Sequence, residues 1–250
     1  MRKKLTLFLM FLLLVLIPTS VTSNTCIEKL YMGTYPNGLV RVYDGSSWST
    51  SFDSPEYLIW SLGFYNDELY AGTWINGQIY KYDGCDWELS YDTLQRDVKS
   101  FEEYNGKLYA SSGASGKVYV YDGSSWKLAF DPPDIDDSYG YSLNVYNGKL
   151  YYGTGWNGGT IYVYDGSSWN VAYETNTGGV YALEVYNNKL YAGTGTEGKI
   201  YVYDGSSWSL AYDSTEEWIF SLKTYNGKLY AGTNPNGKIF VYDGISWSLS

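Results

Sequence analysis

The sequence contains no histidine among its 250 residues, and this absence excludes several functional classes. A Ser-His-Asp triad, a Cys–His nucleophile and a histidine-ligated metal all need an imidazole. Basic residues are scarce as well, with 17 Lys and Arg against 27 Asp and Glu and a net charge of -10. Because nucleic acid is bound mainly through phosphates neutralised by Lys and Arg, the sequence predicts no nucleic-acid partner.

Cysteine is nearly absent, with only Cys26 and Cys85. Two thiols without histidine do not make a zinc site, and their spacing leaves open whether they pair in a disulfide. Asp134, Asp136 and Asp137 offer carboxylates for Ca²⁺, but they do not follow the twelve-residue calcium loop, which favours a solvated acidic loop. The sequence therefore predicts no metal and no cofactor.

The first segment has the layout of a secretory signal peptide. A basic start, residues 2–4, precedes the apolar run from Leu5 to Ile17, and Pro18 then ends the run before small polar residues. A membrane span needs about 20 apolar residues, more than this run provides. We expect residues 1–23 to be a signal peptide cleaved after Ser23 and the mature protein to be secreted or held at the cell surface. An uncleaved N-terminal anchor is the alternative, and only then would the protein contact a membrane.

Aromatic residues are abundant, with 30 Tyr and 10 Trp, and they recur at a fixed period. A Leu-Tyr pair and a single Trp each return six times, about 40 residues apart. Such a period is typical of propellers, solenoids and other repeat arrays. The recurring tyrosines are Tyr31, Tyr70, Tyr109, Tyr151, Tyr191 and Tyr230, and the recurring tryptophans are Trp48, Trp87, Trp126, Trp169, Trp208 and Trp247.

Each repeat reads as four short strands joined by tight turns. In the fifth repeat the strands are predicted at residues 181–186, 189–194, 199–203 and 208–212. Asn-Gly or Asn-Asn separates the first two strands, and these residues tolerate the positive φ of a two-residue hairpin. Alternating aromatic and β-branched residues, with no helical periodicity, predict an all-β protein.

The predicted sheets are apolar on both faces. Ile200 and Val202 point to one side of the third strand, and tyrosines point to the other. In the fourth strand Trp208, Leu210 and Tyr212 are expected to share one face. Burying one Trp contributes at most roughly 4–6 kcal/mol, from about 150–250 Å² of surface. Because no helix is available to cover such sheets, we expect the copies to cover one another around an axis.

The motifs YNGKLYAGT and YDGSSW, in units of about 40 residues, resemble β-propeller blades. The hairpin before each Trp is similar to the Asp-box of sialidase-type propellers, although here Asp and Gly are adjacent. The KLYAGT strand resembles repeats of Kelch-like and two-component-regulator propellers. The resemblance covers nearly the whole mature chain and implies a six-bladed β-propeller over residues 24–250. It implies no catalytic residues, because propellers carry many functions.

The first blade is irregular. Its pattern begins at a second strand, Lys29-Leu30-Tyr31, so its first strand is expected from residues 22–27 or is missing. A three-stranded blade, ring closure by dimerisation and an open array are the alternatives.

One face of the disc is predicted to carry the ligand site. The repeated turns fall on one side, whereas the variable loops and the links between blades fall on the other. Four aromatic residues there precede the innermost strand in their blades, so we expect them to converge near the axis. The predicted ligand-binding residues are Tyr35, Trp60, Trp74, Tyr141, Trp156, Tyr181, Trp218 and Phe220.

These features favour a binding module whose partner is a glycan or an extracellular protein, because exposed aromatic rings suit both. A structural surface module is one alternative. A polysaccharide-acting enzyme is the other, and without histidine it would need a carboxylate pair or a Tyr or Lys base. Candidates for that chemistry are Asp134, Asp136, Glu56, Glu217 and Lys99.

Overall fold

The computed structural model describes residues 15–18, 28–133, 139–156 and 158–250, and this part of the chain forms strands and turns. The strands form six four-stranded antiparallel sheets. In chain order they are β1 (Val15–Pro18), β2 (Glu28–Gly33), β3 (Leu39–Tyr43) and β4 (Trp48–Asp53); β5 (Leu58–Tyr65), β6 (Glu68–Trp74), β7 (Gln78–Tyr82) and β8 (Trp87–Asp92); β9 (Val98–Tyr104), β10 (Lys107–Ser112), β11 (Val118–Tyr121) and β12 (Trp126–Phe130); β13 (Gly140–Tyr146), β14 (Lys149–Thr154), β15 (Thr160–Tyr164) and β16 (Trp169–Glu174); β17 (Gly178–Tyr186), β18 (Lys189–Gly195), β19 (Lys199–Tyr203) and β20 (Trp208–Asp213); β21 (Trp218–Tyr225), β22 (Lys228–Asn234), β23 (Ile239–Tyr242) and β24 (Trp247–Leu249).

Each sheet is a meander in which consecutive strands pair, as the repeat pattern predicts. Tight hairpins join the first two strands of blades two to six, and Asn187 and Asn188 both adopt positive φ, 47° and 55°. This backbone matches the right-handed twist of the flanking strands. The fifth blade has all four predicted strands, and its innermost strand begins at Gly178, three residues before the predicted start. The protein is an all-β, six-bladed β-propeller.

The predicted face of Tyr212 is wrong. The pairing of β19 with β20 shifts between Ile200, which lies opposite Tyr212, and Tyr201, which lies opposite Leu210. This β-bulge turns Tyr212 to the opposite side of the sheet from Trp208. Tyr212 therefore packs with the sixth blade, and Leu210 is exposed.

Neighbouring sheets cover one another through aromatic stacks. Each recurring Trp from the second blade onward lies flat against a ring of the blade before it; Tyr212 and Trp247, for example, have centroids 4.9 Å apart. A small residue in the second strand permits this close approach of the sheets: a Cβ added at Gly193 would lie 2.5 Å from the side chain of Ile219 in the next blade. The stacked pairs are Phe52–Trp87, Tyr91–Trp126, Phe130–Trp169, Tyr173–Trp208 and Tyr212–Trp247.

The first and sixth blades keep exposed outer faces. Tyr225 and Ile239 are 64% and 49% exposed, although their equivalents in the fifth blade, Tyr186 and Ile200, are buried. On the first blade Trp48 is 39% exposed. In the described part of the chain, hydrophobic cores lie between the five successive pairs of blades, from the first to the sixth.

The first blade has a fourth strand only while the predicted signal peptide is retained, because the strand that pairs with β2 is β1; without it the blade is the incomplete, three-stranded one. β1 pairs with β2 from Val15 opposite Tyr31 to Pro18 opposite Glu28. The assignment of this strand to residues 22–27 is therefore wrong, and Cys26 lies outside the described residues. The sequence of β1 includes the β-branched residues Val15 and Ile17, which favour a strand more than the Ser, Thr and Asn residues within 22–27 do. β1 lies within the predicted signal peptide, whose cleavage stays a prediction.

Candidate functional site

The repeated Asp-Gly turns are built for structure. In the fifth blade the Oδ1 atom of Asp204 accepts hydrogen bonds from the backbone N–H groups of Ser206 and Ser207, at 2.8 and 2.9 Å. These bonds, together with one from the Ser206 hydroxyl, lower the pKa of Asp204 to about 2. The same geometry recurs at Asp44 and Asp165. The carboxylates of this turn face are thus occupied in shaping the chain.

The opposite face gathers five equivalent side chains at the start of the innermost strands. Trp60, Tyr141, Tyr181 and Phe220 hold this position in four blades, and Lys99 holds it in the third. Each is followed by the residue that pairs with the same repeat position of the second strand. These pairs are Ser61–Gly72, Ser100–Ser111, Ser142–Gly153, Ala182–Gly193 and Ser221–Gly232. The common position explains why residues far apart in sequence lie at one level of the disc.

These five side chains touch in sequence around the axis. The ring centroids of Tyr141 and Tyr181 are 4.2 Å apart, and those of Tyr181 and Phe220 are 4.8 Å apart. Lys99 Nζ lies 3.5 Å from the centroid of Trp60 and 5.6 Å from that of Tyr141. The structure thus brings together the four aromatic residues that were predicted to converge. Their role in binding a ligand stays a prediction.

Two further predicted residues extend this row toward solvent. Tyr139 joins Trp156 to Tyr141, with centroid distances of 4.9 and 6.1 Å. At the other end Trp218 lies 6.0 Å from Phe220. We call the continuous row the aromatic arc; it consists of Trp156, Tyr139, Tyr141, Tyr181, Phe220 and Trp218.

The arc has an exposed edge and polar hydroxyls. Trp156 is 55% exposed, which leaves ring surface open to a ligand. Burial raises the pKa of Tyr141 and of Tyr181, and the two hydroxyls are hydrogen-bonded to each other. Both hydroxyls therefore remain protonated near neutral pH. The arc combines flat apolar surface with neutral hydrogen-bonding groups.

The remaining predicted residues form a second aromatic cluster. Tyr57 links Tyr35 and Trp74, at centroid distances of 5.1 and 6.3 Å. An open cavity of about 580 Å³ lies beside the cluster, bounded by the loop after β2 and the link from the first to the second blade. Its lining residues are Pro36, Asn37, Leu39, Asp53, Pro55, Glu56 and Tyr57.

Three charged residues, Arg96, Asp97 and Lys99, lie beside the arc, and only Lys99 was expected from the sequence. Asp97 is completely buried, with Lys99 Nζ 3.2 Å and Arg96 Nη2 3.7 Å from its Oδ2 atom. Burial lowers the pKa of Lys99, against the opposing effect of Asp97. Sequence reasoning found Lys99 but missed its partners. An alignment of the repeats gives the signal, because the positions equivalent to Asp97 hold Leu58, Tyr139, Gly179 and Trp218.

Of the carboxylates considered for catalysis, only Glu56 and Glu217 lie in the part of the chain that the structure describes, and they belong to different links between blades. Glu56 is buried and accepts a hydrogen bond from Asn76 Nδ2 at 2.8 Å, so it ties a link to a loop. Asp134, Asp136 and Asp137 lie outside the described residues, which leaves the calcium alternative untested as well. Among the residues that the structure describes, no group of three or more Cys, Asp or Glu side chains is arranged to hold a metal.

Two carboxylates on the innermost strands, the buried Glu184 and the half-buried Glu102, were not found from the sequence. Glu184 Oε1 accepts the backbone N–H of Thr224 at 2.8 Å, and its Oε2 lies 3.3 Å from Lys223 Nζ. Burial raises the pKa of Glu102 to about 7, and the nearby charge of Glu184 contributes in the same direction. Their position within a strand, with tyrosines and valines around them, gave no sequence signal of burial.

Comparison with known proteins supports the fold. No protein-family model matches the chain, and no curated protein sequence matches it. Among solved structures, virginiamycin B lyase from Staphylococcus aureus is 11% identical with a TM-score of 0.78, over 91% of this chain and 82% of the lyase. The extracellular domain of a one-component system from B. thetaiotaomicron is 20% identical with a TM-score of 0.73, over 96% of this chain and 33% of that one. The WD40 repeats of RRP9 are 13% identical, with a TM-score of 0.66 over 89% of this chain and 76% of theirs. At these identities the likeness establishes the architecture alone.

In the part of the chain that the structure covers, no helix has the length and hydropathy needed to cross a membrane.

Proposed function

We propose that this protein is an exported β-propeller that binds a glycan on the aromatic arc. The observation that carries the proposal is the arc itself, in which six rings from three blades form one surface with an exposed tryptophan at its edge. Aromatic faces provide large apolar area at small entropic cost, and the C–H faces of sugar rings match them. The nearby tyrosine hydroxyls can hydrogen-bond sugar hydroxyls. The predicted signal peptide supports export, and one structural neighbour is itself an extracellular domain.

Lyase chemistry of the kind named for another neighbour has no support in these residues. One solved form of virginiamycin B lyase, bound to quinupristin, was made inactive by replacing a histidine with alanine. This chain contains no histidine. We therefore favour binding over catalysis.

The test is a glycan array probed with the purified protein and with Trp156→Ala. We expect a subset of glycans to bind the wild type and the variant to lose about tenfold or more in affinity, as expected when an exposed aromatic contact is truncated. Trp48→Ala is the matched control, because Trp48 is also exposed but lies on the outer face of the first blade. An array without bound glycans, or equal binding by the wild type and Trp156→Ala, would contradict the proposal; selective capture of an extracellular protein would then favour the protein-binding alternative.

A structural module that assembles head to tail is a second candidate. The exposed outer faces favour it. Ile239 on the sixth blade is the equivalent of Ile200, and Trp48 on the first blade is the equivalent of Trp247. Inside the chain, Ile200 and Trp247 lie together in the core between the fifth and sixth blades. A contact between the sixth blade of one copy and the first blade of the next uses two different surfaces, so it can be repeated and adds copy after copy.

Ile239→Arg and Trp48→Arg each destroy one half of this contact. Each variant alone is expected to be a monomer by light scattering, whereas their mixture forms a one-to-one dimer. Ile245→Arg, at an exposed turn, is the control. A wild-type protein that stays monomeric at high concentration would remove this candidate.

A further inference from the structure

The third blade departs from the aromatic pattern of the arc in a way that folding does not require. Four blades place an aromatic ring at the common innermost position, whereas the third places Lys99 there and Asp97 two residues earlier. Both side chains are almost completely buried. A buried ion pair often contributes no more stability than apolar residues of similar size. The other blades show that apolar residues fit this position, so the pair calls for a functional reason.

The surroundings of Asp97 contain more positive charge than the carboxylate balances. In the described residues no backbone N–H or hydroxyl donates to either Asp97 oxygen. Its negative charge is shared between two cations, Lys99 at 3.2 Å and Arg96 at 3.7 Å. Since one carboxylate faces two cations, the residues that the structure describes leave one positive charge over at this place, although the whole chain carries -10.

Arg96 is the member of the group that a ligand can reach. It is 46% exposed on its side chain, and its guanidinium carbon lies 5.4 Å from the ring centroid of Tyr139. Tyr139 in turn contacts Trp156, the exposed end of the arc. An exposed guanidinium and an exposed indole thus lie beside the same tyrosine. The guanidinium fork matches carboxylate and sulfate oxygens, and the indole offers a stacking face.

We propose that the ligand of the aromatic arc is an acidic glycan whose carboxylate or sulfate group is bound by Arg96 while a sugar ring stacks on Trp156. This inference rests on the proposed glycan-binding function and names the class of sugar. Asp97 and Lys99 act as positioning residues: Asp97 holds the two cations in place, and Lys99 spans the gap between Trp60 and Tyr141. Because the chain as a whole repels anions, recognition depends on these short-range contacts rather than on long-range attraction.

The test compares three oligosaccharides of equal length by titration calorimetry: a hexuronic acid oligomer, the matching neutral hexose oligomer and its sulfated form. We expect the wild type to bind an acidic oligomer about tenfold or more tightly than the neutral one, the size expected for a hydrogen bond to a charged group. The two acidic oligomers distinguish carboxylate from sulfate. Arg96→Gln is expected to remove the preference for the acidic oligomers, and added salt weakens acidic binding only.

Two further variants keep the result interpretable. Arg41→Gln is the control, since Arg41 is an arginine on β3 that bonds to the carbonyl of Ser49 in its own sheet. It is expected to bind all three oligomers like the wild type. The double variant Asp97→Asn/Lys99→Met removes both buried charges together, so no carboxylate is left in the interior without its lysine. It should fold and still lower the acidic preference.

Three results would overturn the inference. If the wild type binds the neutral oligomer as tightly as the acidic ones, or if Arg96→Gln keeps the acidic preference, the glycan site stands but its acidic specificity is wrong. If no glycan binds, on this set or on the array, the inference fails together with the proposed function.

Discussion

At the scale of single residues, a tyrosine at the end of the innermost strand ties each of blades two to five to the next blade. The hydroxyl of Tyr186 donates to the backbone carbonyl of Gly227 at 3.0 Å, and Tyr65, Tyr104 and Tyr146 make the equivalent bond. Tyr225 occupies the same place in the sixth blade, where its side chain is exposed. The same residue type thus has two different energetic roles within one chain.

Tyr186→Phe removes this bond without changing the packing of the ring. The unfolding free energy is expected to fall by about 1 kcal/mol, the usual net contribution of such a bond. Tyr225→Phe is the matched control and should change it by less than about 0.5 kcal/mol, as surface substitutions do. Urea unfolding of both variants measures the difference, and equal losses would show that the sixth blade is covered in solution.

Glu102 gives the protein a distinct pH dependence. Its pKa is raised to about 7 by burial, so between about pH 4.5 and 7 the folded protein holds a proton that the unfolded chain has released. The stability that Glu102 contributes to the fold is fully present below the pKa of the unfolded state and is lost as the pH rises through 7.

Glu102→Gln should therefore stabilise the protein at pH 8, by about 2–3 kcal/mol, and leave it nearly unchanged at pH 4. Urea unfolding at the two pH values checks this. A variant that is destabilised at pH 8 would show that the charged carboxylate is favoured in the fold.

The aspartates of the turn face give stability the opposite pH dependence from that of Glu102. The pKa of Asp204 is lowered to about 2 by its hydrogen bonds, so its contribution is present above the unfolded value and is lost as the pH falls toward 2. Asp204→Asn keeps the acceptor and removes the titration. We expect this variant to lose less stability than the wild type between pH 4 and 2, as followed by thermal melting; identical acid profiles would contradict this role.

At the scale of the strand, the third strand of each blade carries the contact between sheets. Ile200 on β19 is buried within the core shared by the fifth and sixth blades, whereas Ile239 on β23 is half exposed. Ile200→Ala is expected to cost about 2–5 kcal/mol, the range for truncating a buried aliphatic side chain. Ile239→Ala should cost about 1 kcal/mol or less. Thermal unfolding compares them, and a similar loss in both would mean that the outer face of the sixth blade is covered.

The strands of the blades could be predicted because each local signal agrees with the repeat. Asn-Asn at 187–188 requires positive φ, and the runs on either side alternate as strands do, so hairpins and strands followed directly. The face of Tyr212 could not be predicted, because a bulge depends on pairing with the neighbouring strand. The first strand of blade one was missed because the residues of β1 belong to the apolar run that predicts a signal peptide.

The site could be predicted in part for the same reason. The fold places equivalent positions at one level of the disc, so Tyr141, Tyr181 and Phe220 were expected to meet, and they do. Asp97 and its neighbour Arg96 were missed because the complete burial of Asp97 depends on packing between blades, although its ion pairs with Arg96 and Lys99 are local in sequence. The separate cluster of Tyr35 and Trp74 shows that the predicted residues form two groups instead of one.

At the scale of the whole molecule, the two faces of the disc differ, and the proposed binding surface lies on one of them. The turn face repeats its hydrogen bonds from blade to blade and uses its carboxylates internally. The opposite face differs between blades and carries the arc, the charged group of the third blade and the open cavity. The proposed ligand surface, the aromatic arc, therefore lies on the face where the repeats differ.

The most direct test of this placement is amide hydrogen exchange of the protein, free and with the hexuronic acid oligomer. We predict slower exchange upon binding in residues 96–99, 139–141, 179–181 and 218–220, and no change in the turns at residues 204–207 and 226–227. Protection confined to those turns would contradict the assignment of the arc as the binding surface.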